Sequence, residues 1–356
     1  MSPLHCIYDR GGVHLPALDL WLDASKARKG PERVFVSHAH SDHIAAHRET
    51  ILSPATARLM RSRIPGKRLE HRLDWNEART FETGAHRWTI TLLPAGHVLG
   101  SAMALIQVDG QSLLYTGDFK LRPSPASEPC QPAKADILIT ETTFGRPAYV
   151  FPTVAAVLAD IQSFCRETLD RQETPVLLGY SLGKSQEVLA GLAGSGLTFA
   201  IHPQIHKLTR VYEEFGQTFA PYTELSRDTS VRGKVVLCPP GIPAAKFLAD
   251  AGPLRRAVLT GWALNPSCRF RYQADAAFPL SDHADFPDLL EFVRRVQPRE
   301  VLTLHGFAAD FAQALRDAGY CARSISENDQ LHLALTFSTP DQTPQSAVQG
   351  ETRVSD

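Results

Sequence analysis

The segment from residue 38 to residue 43 carries four side chains that can bind metal ions, in the order His38-Ala39-His40-Ser41-Asp42-His43. His38 and His40 stand two residues apart, so on an extended backbone their imidazoles point to the same side and can hold one cation. Asp42 and His43 follow in the next turn and can hold a second cation. Imidazole combined with carboxylate suits Zn²⁺, and also Mn²⁺ or Fe. The spacing therefore predicts a site for two divalent metal ions, a pair that can clamp a phosphoryl group.

More residues of these types follow directly after segments that are typical of strands. They are His97, Asp118, Glu141 and His305, which come after Trp88–Leu93, Ser112–Thr116, Asp136–Thr140 and Glu300–Leu304. Strands that carry polar residues at one end bring those residues together at one edge of a sheet. We therefore expect these side chains to join the histidines of the first segment in one site.

Short apolar, β-branched runs alternate with helical patterns along the chain, which indicates an α/β protein. The remaining predicted strands are Val34–Ser37, Ala102–Val108, Pro175–Gly179, Leu197–Ile201, Lys234–Cys238 and Arg256–Thr260. The predicted helices are Pro152–Arg171, Lys184–Ala193, Pro203–Phe215, Ala244–Ala251, Pro287–Val296 and Ala309–Ala318.

The composition is that of a soluble globular protein, with 356 residues, 43% hydrophobic residues and a net charge of −1. No apolar run reaches the roughly 18–20 residues of a membrane span. The six cysteines are scattered and there is no basic leader, so we expect reduced thiols and a cytoplasmic location. The stretch 338–356 is rich in Thr, Pro, Gln and Ser and is predicted to be a disordered tail.

The motifs resemble those of the metallo-β-lactamase fold superfamily. Its HxHxDH signature matches residues 38–43, its later histidine matches His97 in Pro94–Ser101, and its bridging aspartate matches Asp118 in Tyr115–Phe119. Asp23 stands where the family keeps a carboxylate that orients ligand histidines. The resemblance implies a first metal bound by His38, His40 and His97, a second bound by Asp42, His43 and His305, and Asp118 between them.

Three further motifs are similar to those of the β-CASP nucleases, a branch that cleaves nucleic acids. Thr140–Gly145 looks like motif A, Ser281–Phe286 like motif B and Leu304–Gly306 like motif C. The implied fold is an α/β metallo-β-lactamase αββα sandwich with an inserted α/β β-CASP domain. The expected boundaries are 1–145 for the first part of the sandwich, 146–274 for the insert and 275–337 for the returning segment.

Within that branch, the sequence is most similar to bacterial exonuclease-like proteins associated with ATP-dependent DNA ligases and to relatives of an mRNA 3′-end processing factor. This implies a metal-dependent DNA exonuclease in repair, with an RNA-processing nuclease as the alternative. Asp42, Glu141 and His283 would be catalytic, with His283 as the general acid paired to Glu141. Histidine at motif C does not decide between DNA and RNA, because the ligase-associated proteins also have it.

The loop Gly179–Ser185 allows two interpretations. As the start of a helix it could hold a phosphate through Ser181 and Lys184, together with Arg146, Arg269 and Arg271 from elsewhere in the chain. As a GxSxG elbow it would make Ser181 the nucleophile of a serine hydrolase, with His283 or His305 as the base. A metallo-hydrolase of small thioesters or lactones is a third alternative on the same fold.

Overall fold

The computed structural model describes residues 2–9, 11–241, 248 and 250–325, and these form three β-sheets flanked by helices. The predicted tail 338–356 lies outside the described residues, as does most of the predicted helix Ala244–Ala251. Among the described helices, none combines the length and the apolar character that a membrane span needs.

The first sheet contains six strands in the order of the chain. They are β1 (Ile7–Asp9), β2 (Gly12–Leu15), β3 (Leu20–Leu22), β4 (Arg33–Phe35), β5 (Glu49–Leu52) and β6 (Leu69–Arg72). The strands β3 to β6 run parallel, and β3 pairs with β4 so that Leu22 faces Phe35. Asp23 and the histidine segment therefore leave the same edge of this sheet.

The second sheet contains seven strands, in the order β19-β18-β11-β10-β9-β8-β7. They are β7 (Ala78–Thr83), β8 (His86–Pro94), β9 (Ala102–Val108), β10 (Gln111–Tyr115), β11 (Ile137–Glu141), β18 (Glu300–Leu304) and β19 (Ala322–Ser324). The central strands β10, β11 and β18 are parallel, with Glu141 beside Leu304. Their carboxyl ends point to one edge, as the polar residues after these strands predict.

These two sheets pack face to face and are covered by helices on both outer faces, which is the αββα sandwich. The core between the sheets joins Leu22 and Phe35 of the first sheet to Trp88 and Ile106 of the second. Helix α1 (Pro54–Arg63) covers the first sheet. Helices α6 (Phe286–Val296) and α7 (Ala308–Asp317) cover the second.

The third sheet is all-parallel and is built entirely from residues 174–278, inside the sequence of the second sheet. Its strands are β12 (Thr174–Leu178), β13 (Phe199–Ile201), β14 (Tyr222–Glu224), β15 (Val235–Cys238), β16 (Leu254–Leu259) and β17 (Ala276–Phe278), in the order β14-β13-β15-β12-β16-β17. Apolar side chains of α2 (Val154–Asp170) and α3 (Lys184–Gly191) pack on one face. Because β17 pairs with β16, this sheet extends past the predicted boundary at residue 274.

The inserted sheet and the sandwich share one apolar cluster. Ala55, Leu59 and Val98 of the sandwich pack with Leu208 and Tyr212 of α4 (Pro203–Glu214). At the rim of this cluster Arg58 donates two hydrogen bonds of 2.7 Å to the Glu214 carboxylate. This contact fixes the edge of the third sheet next to the strand ends of the sandwich.

Most predicted elements are present with ends shifted by one or two residues, but the sequence analysis missed helix α1 and all strands of the first sheet except β4. The predicted helix Pro152–Arg171 is observed as Val154–Asp170. It begins two residues later than predicted because the Thr153 side chain accepts a hydrogen bond from the Ala156 N–H and caps it. Helix α1 begins at the signal Ser53-Pro54, where the Ser53 hydroxyl accepts from the Thr56 N–H. Its three arginines interrupt the spacing of apolar residues that would otherwise indicate a helix in the sequence.

Candidate metal centre

The loops after β4, β8, β10 and β18 converge at one edge of the sandwich and carry the predicted metal ligands. We call residues 37–43, 95–101, 117–120 and 305–306 the metal-site loops. Opposite them lie the segments after β12, β16 and β17, at the carboxyl edge of the third sheet. We call residues 179–184, 260–272 and 279–283 the insert edge.

Four of the predicted ligands form a compact buried group. One ligand atom from each of His38, His40, His97 and Asp118 lies within 4.8 Å of the others. The Asp118 carboxylate oxygen Oδ2 is 3.5 Å from His38 Nε2 and 3.8 Å from His97 Nε2. Three imidazoles and one carboxylate at this spacing match the donor set of a zinc-type cation.

Hydrogen bonds orient two of these imidazoles from the insert edge. His40 Nε2 lies 3.2 Å from the Leu182 carbonyl oxygen, and His97 Nδ1 lies 2.7 Å from that of Asp282, so each ring donates an N–H there. The remaining nitrogens, His40 Nδ1 and His97 Nε2, then face each other at 3.0 Å with their lone pairs. Two lone pairs held this close fit a shared cation.

A second observation also fits a metal ion. Burial lowers the pKa of His38 far below its ordinary value and that of His97 to about 3, so both rings are neutral at pH 7. The buried His38 Nε2 has no hydrogen-bond partner among the described residues. Leaving such a nitrogen unsatisfied costs about 1–3 kcal/mol, and a neutral imidazole nitrogen is what a metal binds.

The predicted ligands of the second metal are arranged more openly. His43 Nε2 lies 3.4 Å from Asp118 Oδ2 and 3.6 Å from Asp42 Oδ2, and the Asp42 side chain is 76% exposed. The His305 ring lies 6.2 Å from that of His43 between centroids. Within the described ranges, Asp42, His43 and His305 do not form a group whose ligand atoms all lie within 4.8 Å.

Three carboxylates around His43 nevertheless favour positive charge at the position predicted for the second metal ion. Burial alone would lower the pKa of His43, but Asp118, Asp23 and Asp42 raise it well above its ordinary value. The Asp23 oxygen Oδ2 accepts hydrogen bonds from His43 Nδ1 at 2.9 Å and from the Tyr115 hydroxyl at 2.9 Å. Asp23 therefore turns His43 Nε2 towards Asp118.

Glu141 and His283 form a buried pair beside the four-ligand group. His283 Nδ1 donates to Glu141 Oε1 at 2.8 Å, and Glu141 also accepts the N–H groups of Phe119 and Thr143. The His283 ring lies 4.8 Å from that of His97 between centroids. Burial alone would lower the pKa of His283, but Glu141 raises it to about 9. His283 is therefore protonated at neutral pH next to the candidate metal centre.

Lys184 does not have the exposed position that a phosphate contact needs. It is 4% exposed and its ammonium forms an ion pair with Asp282, which is itself 2% exposed. Burial would raise the pKa of Asp282, but Lys184 and the neighbouring histidines hold it far below its usual range. The first turn of α3 also places Glu187 in a buried ion pair with Lys120 of the sandwich.

Asp282 is a functional candidate that the sequence analysis missed. It lies within the predicted motif B, where no role was assigned to it, and its carbonyl orients His97 while its carboxylate holds Lys184. The only signal in the sequence is its position directly before His283.

The other predicted phosphate contacts fall into two groups. Arg146 forms an ion pair of 2.9 Å with Asp310 and lies 4.0 Å from the centre of the Phe307 ring. Arg269 and Arg271 lie on the short helix α5 (Cys268–Arg271), are exposed, and have no carboxylate within 4.0 Å among the described residues. Of the three predicted arginines, Arg269 and Arg271 therefore have guanidinium groups that a phosphate can reach without competing with an ion pair to a described residue.

The serine hydrolase interpretation needs a histidine base bonded to the Ser181 hydroxyl, and the described residues provide none. Neither His283 nor His305 forms a hydrogen bond with the Ser181 hydroxyl in the described part of the chain, and His283 Nδ1 is bound to Glu141. The Ser181 carbonyl accepts from the Gln186 side chain at 3.1 Å, which is a helix-start contact. The loop is therefore a strand-to-helix turn without a catalytic pair.

Comparison with known families gives two matches along the chain. Residues 11–159 match the metallo-β-lactamase superfamily, and residues 276–323 match the Zn-dependent metallo-hydrolase RNA specificity domain. The third sheet lies mostly between the two matched regions. The two matches together contain every predicted metal ligand and both members of the Glu141–His283 pair.

Several curated proteins are similar over most of this chain. It is 51% identical to a probable DNA ligase of Opitutus terrae over 349 residues, which is 96% of this chain and 34% of that protein. It is 30% identical to the 5′ exonuclease Apollo of Gallus gallus, over 81% of this chain and 61% of that protein. It is 24% identical to the DNA cross-link repair protein SNM1 of Arabidopsis thaliana, over 85% of this chain and 66% of that protein. The chain thus spans about a third of the first relative and under two thirds of the second.

Proposed function

We propose that this chain, which belongs to the β-CASP group of the metallo-β-lactamase superfamily, is a metal-dependent nuclease that acts as a DNA exonuclease in repair. The observation that carries the proposal is the Glu141–His283 pair, which holds a proton donor beside a four-ligand metal site. Hydrolysis of a phosphodiester needs such a donor, because the leaving alkoxide is a poor leaving group until it is protonated.

Two divalent ions, Zn²⁺ or Mn²⁺, would occupy the site. His38, His40 and His97 would hold one, Asp42, His43 and His305 the other, and Asp118 both. When bound, such ions polarise the phosphoryl group and lower the pKa of water to supply the nucleophile.

The protein residues then have distinct tasks. His283 gives the proton on Nε2 to the leaving oxygen, while Nδ1–H stays bonded to Glu141, which keeps the ring in place. Asp23 and the carbonyl of Asp282 keep the ligand histidines in fixed orientations. Arg269 and Arg271 supply positive charge for the backbone phosphates of the substrate.

Two relatives named as a 5′ exonuclease and a DNA cross-link repair protein favour DNA as the substrate. The relative named a probable DNA ligase supports a role in a pathway that also uses a DNA ligase. The match of residues 276–323 to an RNA specificity domain keeps an RNA-processing nuclease as the second candidate.

The test is cleavage of matched, end-labelled single-stranded DNA and RNA, each with a 5′-phosphate or a 5′-hydroxyl, with added Zn²⁺ or Mn²⁺. The Asp42→Ala variant serves as the inactive control. We expect DNA to shorten stepwise from one end with the wild type and not with the control. Cleavage of RNA alone would make the second candidate correct. If neither is cleaved while thioesters or lactones are, the nuclease proposal is wrong.

A further inference from the structure

The outer part of the insert edge carries aromatic side chains next to the candidate metal centre. Tyr180 follows β12 by two residues, and α5 follows β16. These two strands are parallel neighbours with Leu178 beside Val258, so Tyr180 and α5 leave the third sheet at the same edge. The same edge leads through β17 to Asp282 and His283.

The aromatic residues here are exposed although large apolar rings are usually covered. Phe270 of α5 is 74% exposed, the highest value for a large apolar side chain among the described residues, and Tyr180 is 47% exposed. Tyr272 is partly buried, and its pKa is raised to about 12 by burial and then by the nearby Tyr180. The Tyr180 ring also lies 5.0 Å from the Lys184 ammonium, which places it next to Asp282.

Positive charge accompanies these rings. The Arg269 guanidinium lies 5.3 Å from the centre of the Phe270 ring. Neither Arg269 nor Arg271 has a carboxylate within 4.0 Å in the described ranges, whereas Arg58, Arg61, Arg122 and Arg146 each have one. The insert edge thus offers flat apolar faces and unneutralised cations side by side.

We propose that Tyr180, Phe270 and Tyr272 form a stacking surface for the unpaired bases of a single-stranded nucleic acid, with Arg269 and Arg271 contacting its phosphates. Every base has a flat face that can stack on an aromatic ring, so such a surface binds single strands with little sequence preference. In a duplex these faces are covered by neighbouring bases, so the surface selects single-stranded ends. This inference rests on the proposed nuclease function and names its substrate class.

The test measures binding without cleavage. A fluorescein-labelled single-stranded DNA of about 12 nucleotides and an abasic strand of equal length and charge are titrated by anisotropy in EDTA. We expect Phe270→Ala to weaken binding of the normal strand at least about fivefold and to leave the abasic strand unchanged. Phe270→Trp should restore the affinity, because the larger ring also stacks.

Phe215→Ala is the matched control. Phe215 is 41% exposed and ends α4, which runs from the end of β13 back towards the start of β14, so it lies at the opposite edge of the third sheet. We expect its removal to leave both affinities unchanged. If Phe270→Ala changes neither affinity, or changes both equally, the stacking surface is wrong.

The outcome separates this inference from the proposed function. If the wild type cleaves DNA but Phe270→Ala binds as the wild type does, only the stacking surface is overturned. If the wild type cleaves no nucleic acid with Zn²⁺ or Mn²⁺, the nuclease function is overturned. The difference in affinity between the normal and the abasic strand then still decides whether bases stack on Phe270.

Discussion

The metal-site loops and the outer insert edge lie next to each other, yet their side chains are held in opposite ways. In the loops, ligand histidines are buried and held by hydrogen bonds, as His43 is by Asp23 and His97 is by the carbonyl of Asp282. On the insert edge Phe270 and Arg269 are exposed, and Arg269 has no ion-pair partner among the described residues. The difference is that chemistry needs groups that are fixed before the substrate arrives, whereas recognition needs groups that the substrate can still reach.

The largest expected effect comes from breaking the fixed region at Asp118, which faces His38, His43 and His97. In Asp118→Asn we expect at least about a thousandfold loss of turnover, together with lower metal content. Nuclease assays and elemental analysis measure the two. Asp109→Asn, at an exposed turn where the Asp109 carboxylate pairs with His86, is the control and should change neither. Full activity in Asp118→Asn would falsify the ligand assignment.

The next effect concerns the proton donor. His283→Ala should lower kcat on DNA about 100- to 1,000-fold while metal content stays constant. A substrate with a p-nitrophenolate leaving group needs no proton and should lose far less. Loss of metal in this variant would show that His283 is a ligand instead.

The pH dependence of kcat provides the companion measurement. Because Glu141 raises the pKa of His283 to about 9, the donor proton is present at neutral pH and lost as the pH rises through about 9. In Glu141→Gln the pKa falls, so the alkaline decline in kcat should move to lower pH. An unchanged profile would contradict the pairing.

A smaller effect tests whether Lys184 stabilises the buried region around Asp282 or contacts the substrate. Lys184→Met leaves the buried Asp282 carboxylate without its cation, and we expect the free energy of unfolding to fall by about 3–5 kcal/mol. Urea unfolding measures this, with Lys207→Met, an exposed lysine on α4, as the control. If stability is unchanged while KM for DNA rises, Lys184 contacts phosphate and belongs with the recognition surface.

The smallest expected effect comes from comparing Arg269 with Arg146, since only the second is paired with a carboxylate. Arg269→Gln should weaken DNA binding a few-fold and reduce the slope of log K against log salt by about 0.7, as expected for one phosphate contact on a single strand. Arg146→Gln should change that slope less, because Asp310 already neutralises its guanidinium. Equal salt slopes for the two variants would contradict the inference that Arg269 contacts a phosphate and Arg146 does not.

The sequence predicts which polar side chains meet at the edge of the sheets better than it predicts which side chains beside them are exposed. His38, His97, Asp118 and His305 each follow a strand, and strand ends meet at a sheet edge whatever the details of packing. The ion pair of Lys184 with Asp282 joins residues 98 positions apart and depends on how the third sheet docks, so local patterns do not contain it.

Exposure is equally hidden from a single sequence. Phe270 stands in an ordinary mixture of arginine and aromatic residues, and nothing in Cys268–Tyr272 indicates that its ring faces outwards.

The position of β18 between β11 and β19 has a consequence for synthesis on the ribosome. Strand β11 ends at Glu141 and pairs with β10 on one side, but its neighbour on the other side, β18, begins only at Glu300, after the whole third sheet has been made. At ordinary translation rates that interval lasts about 10–30 s, during which β11 is an unpaired edge that can misassociate. His283 and His305 also emerge after the insert, so a nascent chain cannot assemble the candidate site until the third sheet has been translated.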